Sequence, residues 1–444
     1  MKTLWDKGTT ADNRVLQFTT GEDRAMDMFL AAADVLGSLA HIVMLKEIGL
    51  LTMQEYRQLA AGLKTIYRLI QQGEFTIEEG VEDIHSQIEL WLTRKYGATG
   101  KKIHSGRSRN DQVLTAIRLY LRTEIRELVP LVQALFDTLL KLSEQHKKIL
   151  MPGYTHMQVA MPSSFGLWFA SYAESLSDDM RLMKAAYDVI NQNPLGSAAG
   201  YGSSFPLNRT LTTRLLGFDD LAYNSVYAQM GRGKTEKIMA FAMSSVAATL
   251  SKMAMDVCLF MSQNFGFVSF PDNLTTGSSI MPHKKNPDVF ELIRARCNTI
   301  QALPNEIILV TSNLPSGYHR DFQLLKEILF PAILSLKECL LMSQMMMKNI
   351  RVNKNIIRDE KYKYCFSVEE VNKKVQQGIP FRDAYLQVAG EIEKGQFTPS
   401  YVIAHTHEGS IGNLCNEKIR KKMKTVLAGF HFEKARKAEK ALLQ

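Results

Sequence analysis

One stretch constrains this chain more than any other. Residues 236–262 are apolar almost all round, with no charge between Lys237 and Lys252. As a helix it would run about 40 Å at 1.5 Å per residue. A helix without a polar face belongs inside a packed core. The segment 114–142 carries Leu114, Ile117, Leu121, Ile125, Leu128, Val132, Leu135, Leu139 and Leu142. Their spacing alternates between three and four, which makes one apolar seam on a long helix, kinked but not ended by Pro130. Segments 163–191, 288–310 and 319–350 also read as long helices. Five such helices present more apolar surface than one chain is expected to cover, so association through helix packing follows.

Strand signals are sparse, and the fold class read from the chain is all-α. Its 444 residues suggest about three domains at roughly 150 residues each. Breaks in pattern put them at 1–110, an N-terminal helical domain, 111–360, the central bundle, and 361–444, a helical cap. The uncharged stretches look too short or too rich in Ser and Thr to span a bilayer. The first residues show no apolar signal region. A cytoplasmic protein with no membrane partner is expected. Its five cysteines show no CxxC pair, so neither a metal site nor a disulfide framework is indicated. The net charge of +9 is concentrated toward the end, where 411–444 holds nine Lys/Arg against three Glu. No aromatic or Gly-rich readout motif accompanies it, so a solvated helix face is expected and no nucleic-acid partner.

Three loop-like stretches interrupt the helices. His104-Ser105-Gly106-Arg107-Ser108-Arg109-Asn110-Asp111-Gln112 sits where the 111–147 helix begins. Helix N-terminal N–H groups and arginine forks both favour carboxylates or phosphates; a polar cap with solvated arginines is the plainer alternative. The second stretch, 151–163, carries His156 among polar residues at a turn. Histidine suits proton transfer near neutrality, although a lone one is more often structural. The third, 276–287, combines Gly277, Ser278, Ser279, Lys284, Lys285 and two prolines. It is either a surface loop or a mobile segment that brings hydroxyl and ammonium to a substrate. It lacks the GxxxxGK[ST] phosphate pattern.

Together these stretches resemble the fumarase/aspartase superfamily, whose hallmark is a GSSxMPxKxNP loop, here GSSIMPHKKNP at 277–287. Within it, HSGRSRNDQ and MPGYTHMQ resemble the argininosuccinate lyase branch, as do Glu82-Asp83-Ile84-His85 and Pro194-Leu195-Gly196-Ser197. HSGRSRNDQ argues against the adenylosuccinate lyase and aspartase branches. The resemblance implies a three-domain all-α fold with a central five-helix bundle. It also implies a homotetramer whose active sites each draw on three chains. The implied reaction is reversible cleavage of argininosuccinate to arginine and fumarate, without metal or organic cofactor, in arginine biosynthesis.

Such a β-elimination removes a weakly acidic C–H beside a carboxylate, stabilises the resulting dianion and protonates the leaving guanidino nitrogen. By motif position the resemblance assigns the two proton transfers to His156 and Ser278, in either order. Lys284 would supply positive charge near the serine, and Glu291 would orient the histidine. Asn110, Thr155, Tyr318, Gln323 and Lys326 match substrate-binding positions. Arg109, Lys284 and Asn286 resemble the carboxylate-binding set.

The chain also departs from the family pattern. Trp5-Asp6-Lys7-Gly8 replaces WGGRF. Asp23 stands where a serine precedes Asp27 by four. The usual acidic NSxDAxSDRDF becomes Asn224 to Lys234, keeping Arg232 while Tyr227, Gly231 and Gly233 replace three carboxylates. His283 replaces Gln, and AQPI becomes Ala160-Met161-Pro162-Ser163. The expected consequence is an altered arginine end of the substrate site, with Asp23 restoring part of the lost negative charge.

Overall fold

A computed structural model describes residues 12–444. Trp5 to Gly8 lie outside the described residues. The helices are α1 (Asn13–Thr20), α2 (Asp23–Asp27), α3 (Ala31–Glu47), α4 (Met53–Gln72), α5 (Ile84–Tyr96), α6 (Ala98–Lys101), α7 (Arg109–His146), α8 (Phe165–Ile190), α9 (Arg209–Leu215), α10 (Ser225–Met230), α11 (Lys234–Met261), α12 (Asp288–Thr311), α13 (Leu324–Lys348), α14 (Ser367–Gln376), α15 (Phe381–Glu393), α16 (Asn416–Ala428) and α17 (Phe432–Leu443).

The long helices α7, α8, α11, α12 and α13 pack against one another as the central bundle. Leu121, Ile125, Leu128, Leu135 and Leu139 of α7 are fully buried, as the seam requires. Pro130 lies inside α7, which continues past it. Ahead of the bundle, α3 packs on α4 and α7; behind it, α14 packs on α15 and α16 on α8. The breaks read at 110 and 360 fall in the first turn of α7 and within a 3-10 turn, Glu360–Phe366.

The segment expected to be buried all round is not. One face of α11 buries Met239, Met243, Val246, Leu250, Met253 and Val257, while Phe241, Ala248 and Met255 are exposed. Their seven-residue spacing draws an uncovered apolar stripe along the helix. Leu292 and Leu309 of α12 and Leu334 and Leu341 of α13 are exposed as well. Among the described residues two helical stretches, 17–47 and 234–261, are after all long and apolar enough to cross a membrane. Their apolar windows are 78% and 56% buried within the fold, which is how core helices behave.

The stretch 151–163, read as a loop, is an antiparallel hairpin of β1 (Leu150–Thr155) and β2 (Gln158–Ser164). Pro152 and Pro162 face each other across it and hid the strand pattern. The remaining strands are two residues long: β3 (Gln192–Asn193), β4 (Asp220–Leu221), β5 (Val268–Ser269), β6 (Thr276–Gly277), β7 (Lys285–Asn286) and β8 (Arg351–Val352).

Candidate active site

The start of α7 is built by its own sequence. Ser108 is the N-cap and forms a capping box with Asp111: the Ser108 N–H donates to Asp111 Oδ1 at 2.9 Å. Asp111 Oδ2 accepts the N–H groups of Gly196 and Ala198, each at 2.9 Å, which ties the PLGS turn to the helix end. Burial pushes the Asp111 carboxyl up to about 6, against the pull of those donors. Next to Asp111, Gln112 Nε2 donates to both oxygens of Asp34, at 2.8 and 3.1 Å. Asp34 faces His85 Nδ1 at 3.0 Å. Burial opposes charge on both, yet their mutual attraction wins: Asp34 lies below the usual aspartate range and His85 above the usual histidine range.

The Arg109 guanidinium is already engaged within the chain. It lies 2.8 Å from Asp83 Oδ2 and 3.3 Å from Glu82 Oε2, and it donates to Ser86 Oγ at 2.7 Å. Asp83 is also the N-cap of α5, accepting the Ser86 N–H at 2.7 Å. Asn110 beside it is half-buried, and its carboxamide has no hydrogen-bond partner among the described residues.

The segment 318–327 meets the N-terminal helices. Lys326 Nζ lies 2.5 Å from Asp27 Oδ1 and also pairs with Asp23. Burial works against the ammonium, but Asp27 and Asp23 outweigh it and hold its pKa above the ordinary lysine value. Asp23 is raised, chiefly by burial, while Lys326 and Arg232 pull it down. Gln323 Nε2 donates to the carbonyls of Thr19 and Thr20 at 3.1 and 3.0 Å. Arg232 donates to the Phe322 carbonyl at 2.7 Å and pairs with Glu236 at 2.6 Å. Tyr318 is exposed at the edge of this cluster. Glu82 bridges Arg109 and Arg320, and the Thr19 carbonyl accepts from both Arg320 and Gln323, which links Arg109 to Gln323. Asp23 pairs directly with Lys326. Asp27, which the sequence reading did not include, shares that ammonium. Its signal was the spacing Asp23 to Asp27, which puts two carboxylates on one helical face.

The altered 224–234 stretch has a steric account. A Cβ at Gly231 would come 2.8 Å from Arg118 Nη2, and one at Gly233 would come 2.7 Å from Thr311 Cγ2. Gly233 also has φ of +77°. Glycine fits where the usual carboxylates would need their neighbours to move.

His156 stands at the tip of the β1–β2 hairpin. His156 and Met157 have φ of 52° and 59°, the positive pair a tight two-residue turn requires. Thr155 and His156 are exposed, and His156 borders a cleft of about 510 Å³ between the hairpin, α8 and α11. Ser278 sits just inside the β6–β7 hairpin. Its Oγ accepts the N–H groups of Ile280 and Met281 at 3.3 and 3.1 Å. Lys284 is exposed without an ion-pair partner among the described residues, whereas Lys285 pairs with Asp272. Asn286 pairs with Thr276 in the ladder, and Glu291 is exposed in the first turn of α12. Within one chain no hydrogen bond or ion pair among the described residues joins His156, Ser278 and the Arg109–Lys326 cluster. His156, Ser278 and the polar cluster are therefore held on three separate parts of the chain.

A family model described as lyase matches residues 7–302. The chain is 62% identical over 440 residues to an argininosuccinate lyase of Parabacteroides distasonis, covering 99% of each. It is 60% identical to that of Bacteroides thetaiotaomicron, with the same coverage. Among solved structures it resembles an EDDS lyase variant with bound fumarate, with TM-score 0.77 at 22% identity over 98% of this chain and 95% of that one. It also resembles a class II fumarase from Schistosoma mansoni, with TM-score 0.72 at 16% identity over 94% and 95%. The end-to-end identity and the intact motif loops place the chain: it belongs to the argininosuccinate lyase family of the fumarase/aspartase superfamily.

Proposed function

We propose that this chain cleaves argininosuccinate reversibly to arginine and fumarate in the cytoplasm, with His156 and Ser278 as its proton-transfer pair, at sites completed by neighbouring subunits of a homotetramer. The activity follows from the family. The residue roles rest on one observation: the Ser278 oxygen is held on two backbone N–H groups. Those donors favour an ionised oxygen there, as preorganised dipoles do at other developing anions. Lys284 and Asn286 flank the same hairpin. A charge about 4 Å away at effective ε near 20 is worth roughly 4 kcal/mol as a ceiling.

In this reading Ser278 takes the proton from the carbon beside the succinyl carboxylate. The C–N bond then breaks, and His156 returns a proton to the guanidino nitrogen. Arg109, Asn110, Thr155, Tyr318, Gln323 and Lys326 hold the substrate, with Asp23 and Arg232 shaping its arginine end. Glu291 orients His156 once a second chain brings them together. Support for the shared site comes from the separation of those three parts of the chain and from the uncovered stripe on α11. The test is direct. Purified protein is incubated with argininosuccinate while fumarate absorbance is followed in the ultraviolet and arginine is quantified. Equimolar release of both is expected; no release by a tetrameric preparation would overturn the proposal.

A further inference from the structure

A second cavity, of about 350 Å³, opens where α11 begins. Arg232, Lys234, Lys237, Thr311, Ser316 and Gly317 are among its walls, and no carboxylate among the described residues lines it. Arg232 is neutralised by Glu236 and spent on the Phe322 carbonyl, leaving its buried Nε without a partner. Lys234 and Lys237 pair with no carboxylate among the described residues; Lys234 only lies over the Tyr227 ring, 5.7 Å from its centroid. Two uncompensated ammonium groups therefore share one concave surface with two hydroxyls. Glu236, in the first turn of α11, is taken up by Arg232 and the Gly233 N–H. The residues that make this pocket basic lie in or just beyond the stretch where the chain abandons its family's carboxylates, at Tyr227, Gly231 and Gly233.

We infer that this pocket binds a small phosphate-bearing anion, at a site separate from the one that takes argininosuccinate. Lysine ammonium groups bind phosphate as point charges, whereas a carboxylate is best matched by an arginine fork, and the only fork here is occupied. The cavity exceeds the size of a phosphate and leaves room for an organic group. Arg232 connects the pocket to Phe322, next to Gln323 in the substrate cluster.

The test titrates inorganic phosphate at constant ionic strength into wild type and into the Lys234→Ala/Lys237→Ala variant, by calorimetry. Wild type should bind one phosphate per chain, and the variant should bind at least tenfold more weakly. Lys234→Glu alone, on an exposed side chain, should lose binding to at least the same degree, so a misfolded double variant does not end the test. Lys252→Ala, an exposed lysine farther along α11, should bind like wild type. KM for argininosuccinate without phosphate should stay unchanged in the lysine variants. Equal phosphate affinity in wild type and the pocket variants would overturn the site. So would stoichiometric displacement of phosphate by argininosuccinate, which would make the pocket part of the substrate site.

Discussion

Asp27 joins two elements through its two oxygens. Oδ1 lies 2.5 Å from Lys326 Nζ on α13, and Oδ2 accepts the Ile84 N–H of α5 at 3.3 Å. Asp27 and Lys326 are 1% and 5% exposed, so neither charge has water as an alternative partner. Asp23 also pairs with Lys326, so Asp27→Asn leaves the ammonium one carboxylate, the more exposed of the two. The chain should lose about 1–3 kcal/mol, the cost of a weakened buried charge-assisted contact, read from urea midpoints. A loss below about 1 kcal/mol would mean that Asp23 alone neutralises Lys326.

Asp23 shares Lys326 with Asp27 and is the residue that departs from the family pattern. Asp23→Ser leaves the ammonium its more buried carboxylate, Asp27, so the fold should tolerate it better than Asp27→Asn. Its effect should fall on substrate binding at the arginine end. kcat/KM for argininosuccinate should drop about tenfold, the worth of one charge-assisted contact, mainly through KM. Unchanged steady-state kinetics would remove Asp23 from the site.

Ser278→Ala and His156→Asn should each lower kcat by about two to four orders of magnitude. Both side chains lie on hairpins at the surface of the chain, and asparagine tolerates the positive φ that His156 adopts. Circular dichroism and sedimentation should therefore match wild type. Turnover near the wild-type rate in either variant would reject the assignment.

The same two inactive variants test the shared site. Dissociated mildly, mixed and reassembled, they should recover part of the wild-type activity, because some hybrid sites receive both intact hairpins from different chains. Proven subunit exchange with no recovery would show that one chain supplies both groups to each site.

Asp179 gives a pH prediction away from the site. It accepts hydrogen bonds from the hydroxyls of Ser245 and Thr249 at 2.5 and 2.7 Å, and burial pushes its carboxyl up to about 6. An ordinary aspartate titrates near 3.8, so the folded chain binds the proton more tightly than the unfolded one does. The stabilisation it brings is complete below about pH 4 and is lost as pH rises through 6. Asp179→Asn should remove that dependence and raise stability at pH 8 relative to wild type, by about 1–3 kcal/mol. Urea unfolding at pH 5 and pH 8 checks it; parallel shifts at both pH values would refute the cause.

The seams of the long helices were legible because burial repeats every three or four residues along one chain, and α7, α8, α11, α12 and α13 lie within a few residues of where periodicity put them. The chemical motifs were legible for a different reason. Ser278, Lys284 and Asn286, or Arg109 and Asn110, are neighbours in sequence, so their grouping needs no fold. The hairpin carrying His156 was read as a loop because its turn depends on two positive φ angles, which residue types other than glycine and asparagine do not announce. Partners distant in sequence could not be read at all. Asp27 reaches Lys326 across 299 positions and Gln112 reaches Asp34 across 78. Periodicity marked α11 as apolar around its whole circumference, but only packing decided which face its own chain covers and which, along Phe241, Ala248 and Met255, it leaves open. Local sequence determines what a segment prefers to be. Which charges neutralise each other, and which apolar faces stay bare, is set by the distances that tertiary packing closes.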